Sequence, residues 1–297
     1  MNLTLLKLVL TPRRRAQPPQ RTETHGGAVT ASTPADYLLP AIGEHERTLA
    51  RRWLVLALAA LIGSGLFSVL LVLARTPHVN ALLPAGDFFR VALVVHVDLS
   101  VLVWFVAIAG LLWSVNLRSA THDVAQVTWP SQPRQAPWVR HGLALAWGAC
   151  ALGALGMAAA AFVEPGRAVM ANYVPVLDSA TFRTALLVFG GGATLLVVIA
   201  LARPAPVGVA VTGTGALRFG LHASVVAAAV AVLAFGGSLA VVPRSLPAEA
   251  YYEILFWGGG HALQFTWTLL MLVAWLVLAQ ACGARVPLSP RIVLLLF

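Results

Sequence analysis

Three ionisable side chains stand inside strongly apolar runs, and they hold most of the chemistry this chain can offer. His96 and Asp98 lie in Val94-Val95-His96-Val97-Asp98-Leu99-Ser100, and His261 lies in Trp257-Gly258-Gly259-Gly260-His261-Ala262-Leu263-Gln264-Phe265. Ionisable groups in hydrocarbon are expensive, so they usually face a bundle interior, a cofactor or one another. Neutral imidazole is a common ligand for iron and copper; the plainer alternative is a hydrogen bond between packed helices. Three glycines in a row weaken a helix by about 1 kcal/mol each relative to Ala. That cost makes sense if something flat or bulky approaches the backbone beside His261. Asp98, two residues from His96, points about 200° around the helix from it and is a poor partner for the same imidazole. It is read either as a hydrogen bond to another helix or as a group for a proton or an acidic cofactor substituent.

These residues need helices in a bilayer to position them. The chain is 59% hydrophobic and only 10% charged, with a mean hydropathy of +0.82, outside the range of ordinary soluble domains. Apolar runs near residues 53–74, 91–115, 138–163, 181–202, 219–242 and 254–281 are each long enough to cross about 30 Å of hydrocarbon. A further apolar start at 292–297 ends on Leu294-Leu295-Leu296-Phe297. The expected fold is an all-α integral membrane bundle of six complete transmembrane helices plus the start of a seventh, in a fragment of a longer protein. Residues 51–297 form the transmembrane domain. Residues 1–50, with five prolines and Arg13, Arg14, Arg15 and Arg21, read as a flexible basic cytoplasmic tail beside anionic lipid.

Of the 20 Lys and Arg, fifteen fall on the side of the N-terminus and five on the other. The positive-inside rule then places the N-terminus in the cytoplasm. Helices two and six both run inward, so His96 lies roughly 8–10 Å and His261 roughly 10–13 Å below the outer boundary, one shared layer. His141 and His222 fall near the cytoplasmic surface, where snorkelling or capping accounts for them. The net charge of +9 is spread over membrane loops, which argues against a nucleic-acid partner. Cys150 and Cys282 form no metal-binding spacing and imply no disulfide. Phosphate-loop, dinucleotide, zinc-protease and nucleophilic-triad patterns are absent from the sequence.

The stretches Arg90 to Trp113, with His96 about six residues in, and Phe256 to Trp275, with His261 after the glycines, resemble helices two and six of haem-copper oxidase subunit I. The resemblance includes Asn172-Tyr173-Val174-Pro175-Val176-Leu177 before helix four and follows all six helices in order and spacing. It implies that His96 is an axial ligand of a low-spin haem and that His261 is one of three histidines on the copper called CuB. The other ligands, including that of a high-spin haem, would come from helices seven and ten, beyond this chain. It further implies a bacterial inner-membrane respiratory enzyme that reduces oxygen, with other oxidase subunits and a donor such as cytochrome c as partners. The phenol found in the best-known members four residues after the helix-six histidine is here Phe265. That leaves a divergent oxidase, a type with its tyrosine elsewhere, or a nitric oxide reductase. A noncatalytic membrane protein that binds or transports haem is the alternative from another class.

Overall fold

The computed structural model describes residues 37–39, 43–83, 87–116, 137–202 and 211–297. Each apolar run forms the body of one helix: α1 (Glu44–Ala74), α2 (Phe88–Asn116), α3 (Pro137–Val163), α4 (Ala180–Ala202), α5 (Gly213–Val241) and α6 (Ala248–Ala281). All six are long and apolar enough to cross a membrane, so the chain is a multi-pass, all-α membrane bundle. A short α7 (Pro290–Leu296) follows, with Pro290 in its first turn and Ser289 accepting from the Ile292 N–H at 3.4 Å.

Several helices begin earlier than their apolar runs: α1 at Glu44, α5 at Gly213 and α6 at Ala248. Apolarity marks only the part of a helix in hydrocarbon, and backbone hydrogen bonding continues past it. The start of α5 is set by Thr212, whose hydroxyl accepts the Gly215 N–H at 3.0 Å. The first turns of α1 were assigned above to the basic tail, yet Glu46, Leu49 and Ala50 are buried there. Tyr37 is also fully buried, its hydroxyl donating to the Leu288 carbonyl at 2.7 Å, and Thr214 donates to the Leu38 carbonyl at 2.9 Å. The rest of the expected tail, residues 1–36 and 40–42, lies outside the described residues.

Water offers no hydrophobic drive between helices in lipid, so small residues that let backbones approach do much of the packing. The α3–α4 pair is built this way. A side chain at Gly153 would meet the Phe189 nitrogen and the Ala185 carbonyl at 2.6 and 2.7 Å, and one at Gly192 would meet the Ala146 carbonyl and the Cys150 nitrogen at 2.8 and 2.9 Å. Between α1 and α2, Gly110 makes room for the Trp53 indole, which is fully buried. Large apolar residues such as Leu155, Leu187 and Leu233 point outward, 68%, 70% and 75% exposed, as a lipid-facing surface requires. Cys150 is buried and Cys282 exposed, both as free thiols.

Two features depart from regular helix. Residues Asp98–Val103 form a π-helical segment within α2, directly after the turn that carries His96. Between α3 and α4, the chain forms an antiparallel hairpin of β1 (Arg167–Val169) and β2 (Val176–Asp178), registered Arg167 to Asp178 and Val169 to Val176. Gly166 turns into it at φ +62°, where a Cβ would also strike the Asp178 carbonyl.

Glu164 closes this corner. Its carboxylate accepts the Thr181 hydroxyl at 2.6 Å and the Thr181 and Ala180 N–H groups at 3.0 and 3.2 Å, capping the first turn of α4 from the end of α3. Those bonds, the Thr181 hydroxyl foremost, hold its pKa below the ordinary 4.5. A depressed carboxyl stabilises the fold above its unfolded value and loses that effect as pH falls through the folded one. Glu164→Gln is therefore expected to melt lower than the parent at pH 7, with the gap closing below pH 4.5, as thermal unfolding in detergent at stepped pH would show.

Candidate functional site

The two candidate ligands sit on helices that touch. Phe105 of α2 stacks on Trp267 of α6 with ring centroids 5.2 Å apart. Counting back along each helix at 1.5 Å per residue, His96 lies about 13 Å and His261 about 9 Å before that contact. The two histidines thus occupy similar levels on neighbouring helices.

His96 is half-buried and faces α1. Its Nδ1 lies 3.0 Å from the Ser64 carbonyl, 2.9 Å from the Ser64 hydroxyl and 3.0 Å from the Ser68 hydroxyl. A carbonyl can only accept, so Nδ1 must carry the proton. The hydroxyls then have their own acceptors: Ser64 donates to the His96 carbonyl at 3.1 Å and Ser68 to the Ser64 carbonyl at 3.3 Å. One tautomer satisfies every group, and it leaves the Nε2 lone pair free of any hydrogen bond among the described residues. An imidazole oriented through Nδ1–H with an open Nε2 is the arrangement of a metal-ligating histidine. The serines of α1 gave no signal in the sequence, because nothing there says which face of α1 meets His96.

Asp98 is 1% exposed, and neither carboxyl oxygen finds a partner among the described residues. The expected hydrogen bond to another helix is therefore not made in this packing. Buried polar groups are paired in the great majority of cases, so an orphaned carboxyl at the head of a π segment stands out. His141 is exposed, whereas His222, nine residues into α5, is half-buried. Its depth in the helix exceeds the few residues expected because α5 starts early.

His261 is held differently. Its Nδ1 lies 2.8 Å from the Trp257 carbonyl, which again places the proton on Nδ1. The Tyr173 hydroxyl lies 2.8 Å from Nδ1 and 3.0 Å from Nε2. One oxygen this close to both nitrogens sits by the Cε1 edge of the ring, off the in-plane lone pair of Nε2, and the His261 side chain is exposed. Nδ1 is therefore the nitrogen that this chain holds, with the phenol packed against the ring. The glycine run is filled from within as well: a Cβ at Gly260 would strike the Tyr173 ring and one at Gly259 the Phe235 ring. The flat groups expected to approach the backbone here are the protein's own aromatic rings. Phe265 points away, 69% exposed, and the phenol of this region arrives from the hairpin, a residue quoted above only as part of a matching segment.

No group of three His, Cys, Asp or Glu side chains able to hold a metal ion occurs among the described residues. An alignment of 257 residues, 26% identical, relates the chain to an uncharacterized protein of Rickettsia prowazekii (strain Madrid E), covering 81% of this chain and 48% of the relative. The chain thus spans about half the length of the curated relative it matches. No family model matches it, and no solved structure matches it.

Proposed function

We propose that this chain is the haem-ligating N-terminal part of a haem-copper oxidase-like respiratory subunit, with His96 as one axial ligand of a low-spin haem. The observation that carries the proposal is the His96 tautomer: Nδ1–H is held by Ser64 and Ser68, and the Nε2 lone pair is open. That donor fits a haem iron, which needs a neutral, oriented imidazole. The haem would supply one-electron redox chemistry when bound. This chain would fix the imidazole plane and exclude water around it. Asp98, with hydrogen-bonding capacity unused in the six-helix packing, is the group left for a proton or a haem propionate.

Copper fits less well. His261 is a single imidazole whose Nδ1 is held by the Trp257 carbonyl and whose ring is crowded by the Tyr173 phenol, so CuB, like the high-spin haem, would depend on ligands from further helices. The same observation favours a second reading, a membrane haem-binding or transport protein without a copper centre. In the first reading the substrate is oxygen, with nitric oxide as the alternative, electrons come from a donor such as cytochrome c, and other oxidase subunits are partners. The test is the reduced-minus-oxidised spectrum of the purified full-length protein beside its His96 variant.

The proposal also sets the protein in a bacterial inner membrane, with the N-terminus cytoplasmic and α7 beginning a seventh span. A reporter fused after Arg134 is expected to read cytoplasmic, and one fused near Glu164 periplasmic, from the basic asymmetry of the loops. Both fusions reporting one side would remove the basis for the shared layer of His96 and His261.

A further inference from the structure

α6 is the least covered of the six spanning helices: 17% of its most apolar stretch is buried, against 22–50% in the other five. Its buried side carries Gly259, Thr266, Leu270 and Val273. On the opposite side Trp257, His261, Gln264, Thr268, Met271 and Trp275 are all exposed, and they recur at alternating spacings of four and three residues. That is the spacing of a seam along which one helix packs on another.

Lipid also accepts an outward face, so the chemistry of the side chains decides between the two. Inside the apolar runs of α1, α3, α4 and α5 the large exposed residues are apolar, as at Leu66, Leu152, Leu187 and Leu233. The open side of α6 instead carries an imidazole, an amide and a hydroxyl on successive turns. Thr268 is satisfied within the helix, its hydroxyl donating to the Gln264 carbonyl at 2.8 Å, and His261 Nδ1 is held by the Trp257 carbonyl. The Gln264 side-chain amide, with two donors and two acceptor lone pairs, has no hydrogen bond among the described residues. It stands about 15 Å along the apolar run 254–281, the middle of a hydrocarbon layer about 30 Å thick. Its side chain is too short to reach the headgroups from there. An amide without partners in hydrocarbon is costly, so Gln264 points to a protein neighbour and not to acyl chains.

We infer that the open side of α6 is the contact seam for a further transmembrane helix of the same, longer polypeptide, and that Gln264 ties the two together by a hydrogen bond to a polar side chain on that helix. The supply of chain favours this occupant: the alignment covers only 48% of the relative, which therefore holds about as much chain again. The incoming helix presents a donor or acceptor opposite Gln264, and small or apolar residues opposite Trp257, Met271 and Trp275. The inference rests on the reading above that the chain is part of a longer subunit. It makes no use of the haem.

The experiment uses the full-length protein in lipid nanodiscs. The photoreactive residue p-benzoylphenylalanine replaces Trp275 in the seam or, as reference, Leu233 on the outward side of α5, and the adducts formed on illumination are mapped by mass spectrometry. The probe at Trp275 is expected to join to a peptide of the same molecule from outside residues 1–297, and the probe at Leu233 to lipid. Gln264→Leu tests the amide by the sign of its effect. In a seam it removes a hydrogen bond and strands the polar group opposite, so the folding equilibrium constant measured by steric trapping should fall about three- to tenfold. Gln264→Asn keeps the amide and should recover part of that loss. Lipid adducts from both probes would overturn the seam, and a Gln264→Leu protein as stable as the parent or more so would overturn the role of Gln264. Cross-linked dimers in place of internal adducts would overturn the occupant and put a second copy of the chain on this face. A protein that forms the internal adduct yet shows no haem spectrum would keep the seam and end the haem reading, so the two fail separately.

Discussion

His96→Ala is expected to abolish the low-spin haem spectrum of the full-length protein, while His222→Ala leaves it unchanged. The expectation follows from the hydrogen bonds around the His96 ring. His96 has its proton on the side of α1, held between a carbonyl and two hydroxyls, and its other nitrogen has no hydrogen bond among the described residues. Losing the residues that merely orient a metal-bound histidine typically weakens binding about 10–100-fold, so deleting the ligand itself should exceed that range. The double variant Ser64→Ala, Ser68→Ala provides the graded case. It keeps the Ser64 backbone carbonyl as an acceptor and removes both hydroxyls, so haem should remain with affinity lowered toward the about tenfold end of that range. Haem content by pyridine haemochrome, alongside the difference spectrum, measures both. An unaltered spectrum in His96→Ala would make the Ser64–Ser68–His96 cluster a helix-packing contact and nothing more.

Gly192→Leu is expected to break the bundle, whereas Gly190→Leu and Gly191→Leu are tolerated. The three glycines are adjacent in sequence, and only packing distinguishes them. A side chain at Gly190 or Gly191 would have nothing within 4 Å, while one at Gly192 would meet the backbone of α3 at Ala146 and Cys150. Overpacking usually costs about 1–3 kcal/mol when neighbouring side chains can give way. Here the obstructing atoms are main-chain atoms of a facing helix, so α3 and α4 must separate along their length, and the cost should lie above that range. Size-exclusion profiles and thermal unfolding in detergent would show the Gly192 variant aggregated or melting far below the other two. Equal behaviour of all three would mean that the α3–α4 interface is looser than its backbone contacts indicate.

The glycine runs also mark where reading from sequence stops. Gly258-Gly259-Gly260 was legible as a place of close approach, because no other residue type gives up helix stability for space. What approaches was not legible, since Tyr173 and Phe235 come from segments distant in sequence. The missing phenol at position 265 was legible in the same limited way: the chain shows Phe265 there, and only the hairpin's return onto α6 shows a phenol on His261. The hairpin itself was outside the expected all-α pattern, because its strands of three residues each are too short to set up an alternation against an apolar background.

The sequence by itself determined the solvent and the layout. Six uninterrupted apolar runs admit only helices across a bilayer, since no water is present to satisfy an open backbone, and the basic loops bias their direction. It also determined that His96, Asp98 and His261 are costly where they stand. Only the tertiary structure decided what each does with its polar atoms. Hydrogen bonds are made across helices, between residues whose separation along the chain carries no signal: Ser64 and Ser68 fix one tautomer at His96, Tyr173 brings a phenol against the His261 ring, and Asp98 finds no partner among the described residues. Two histidines in apolar runs thus acquire different neighbours, two serines of α1 at one and a phenol of the hairpin at the other, and each imidazole carries its proton where the fold places a carbonyl acceptor.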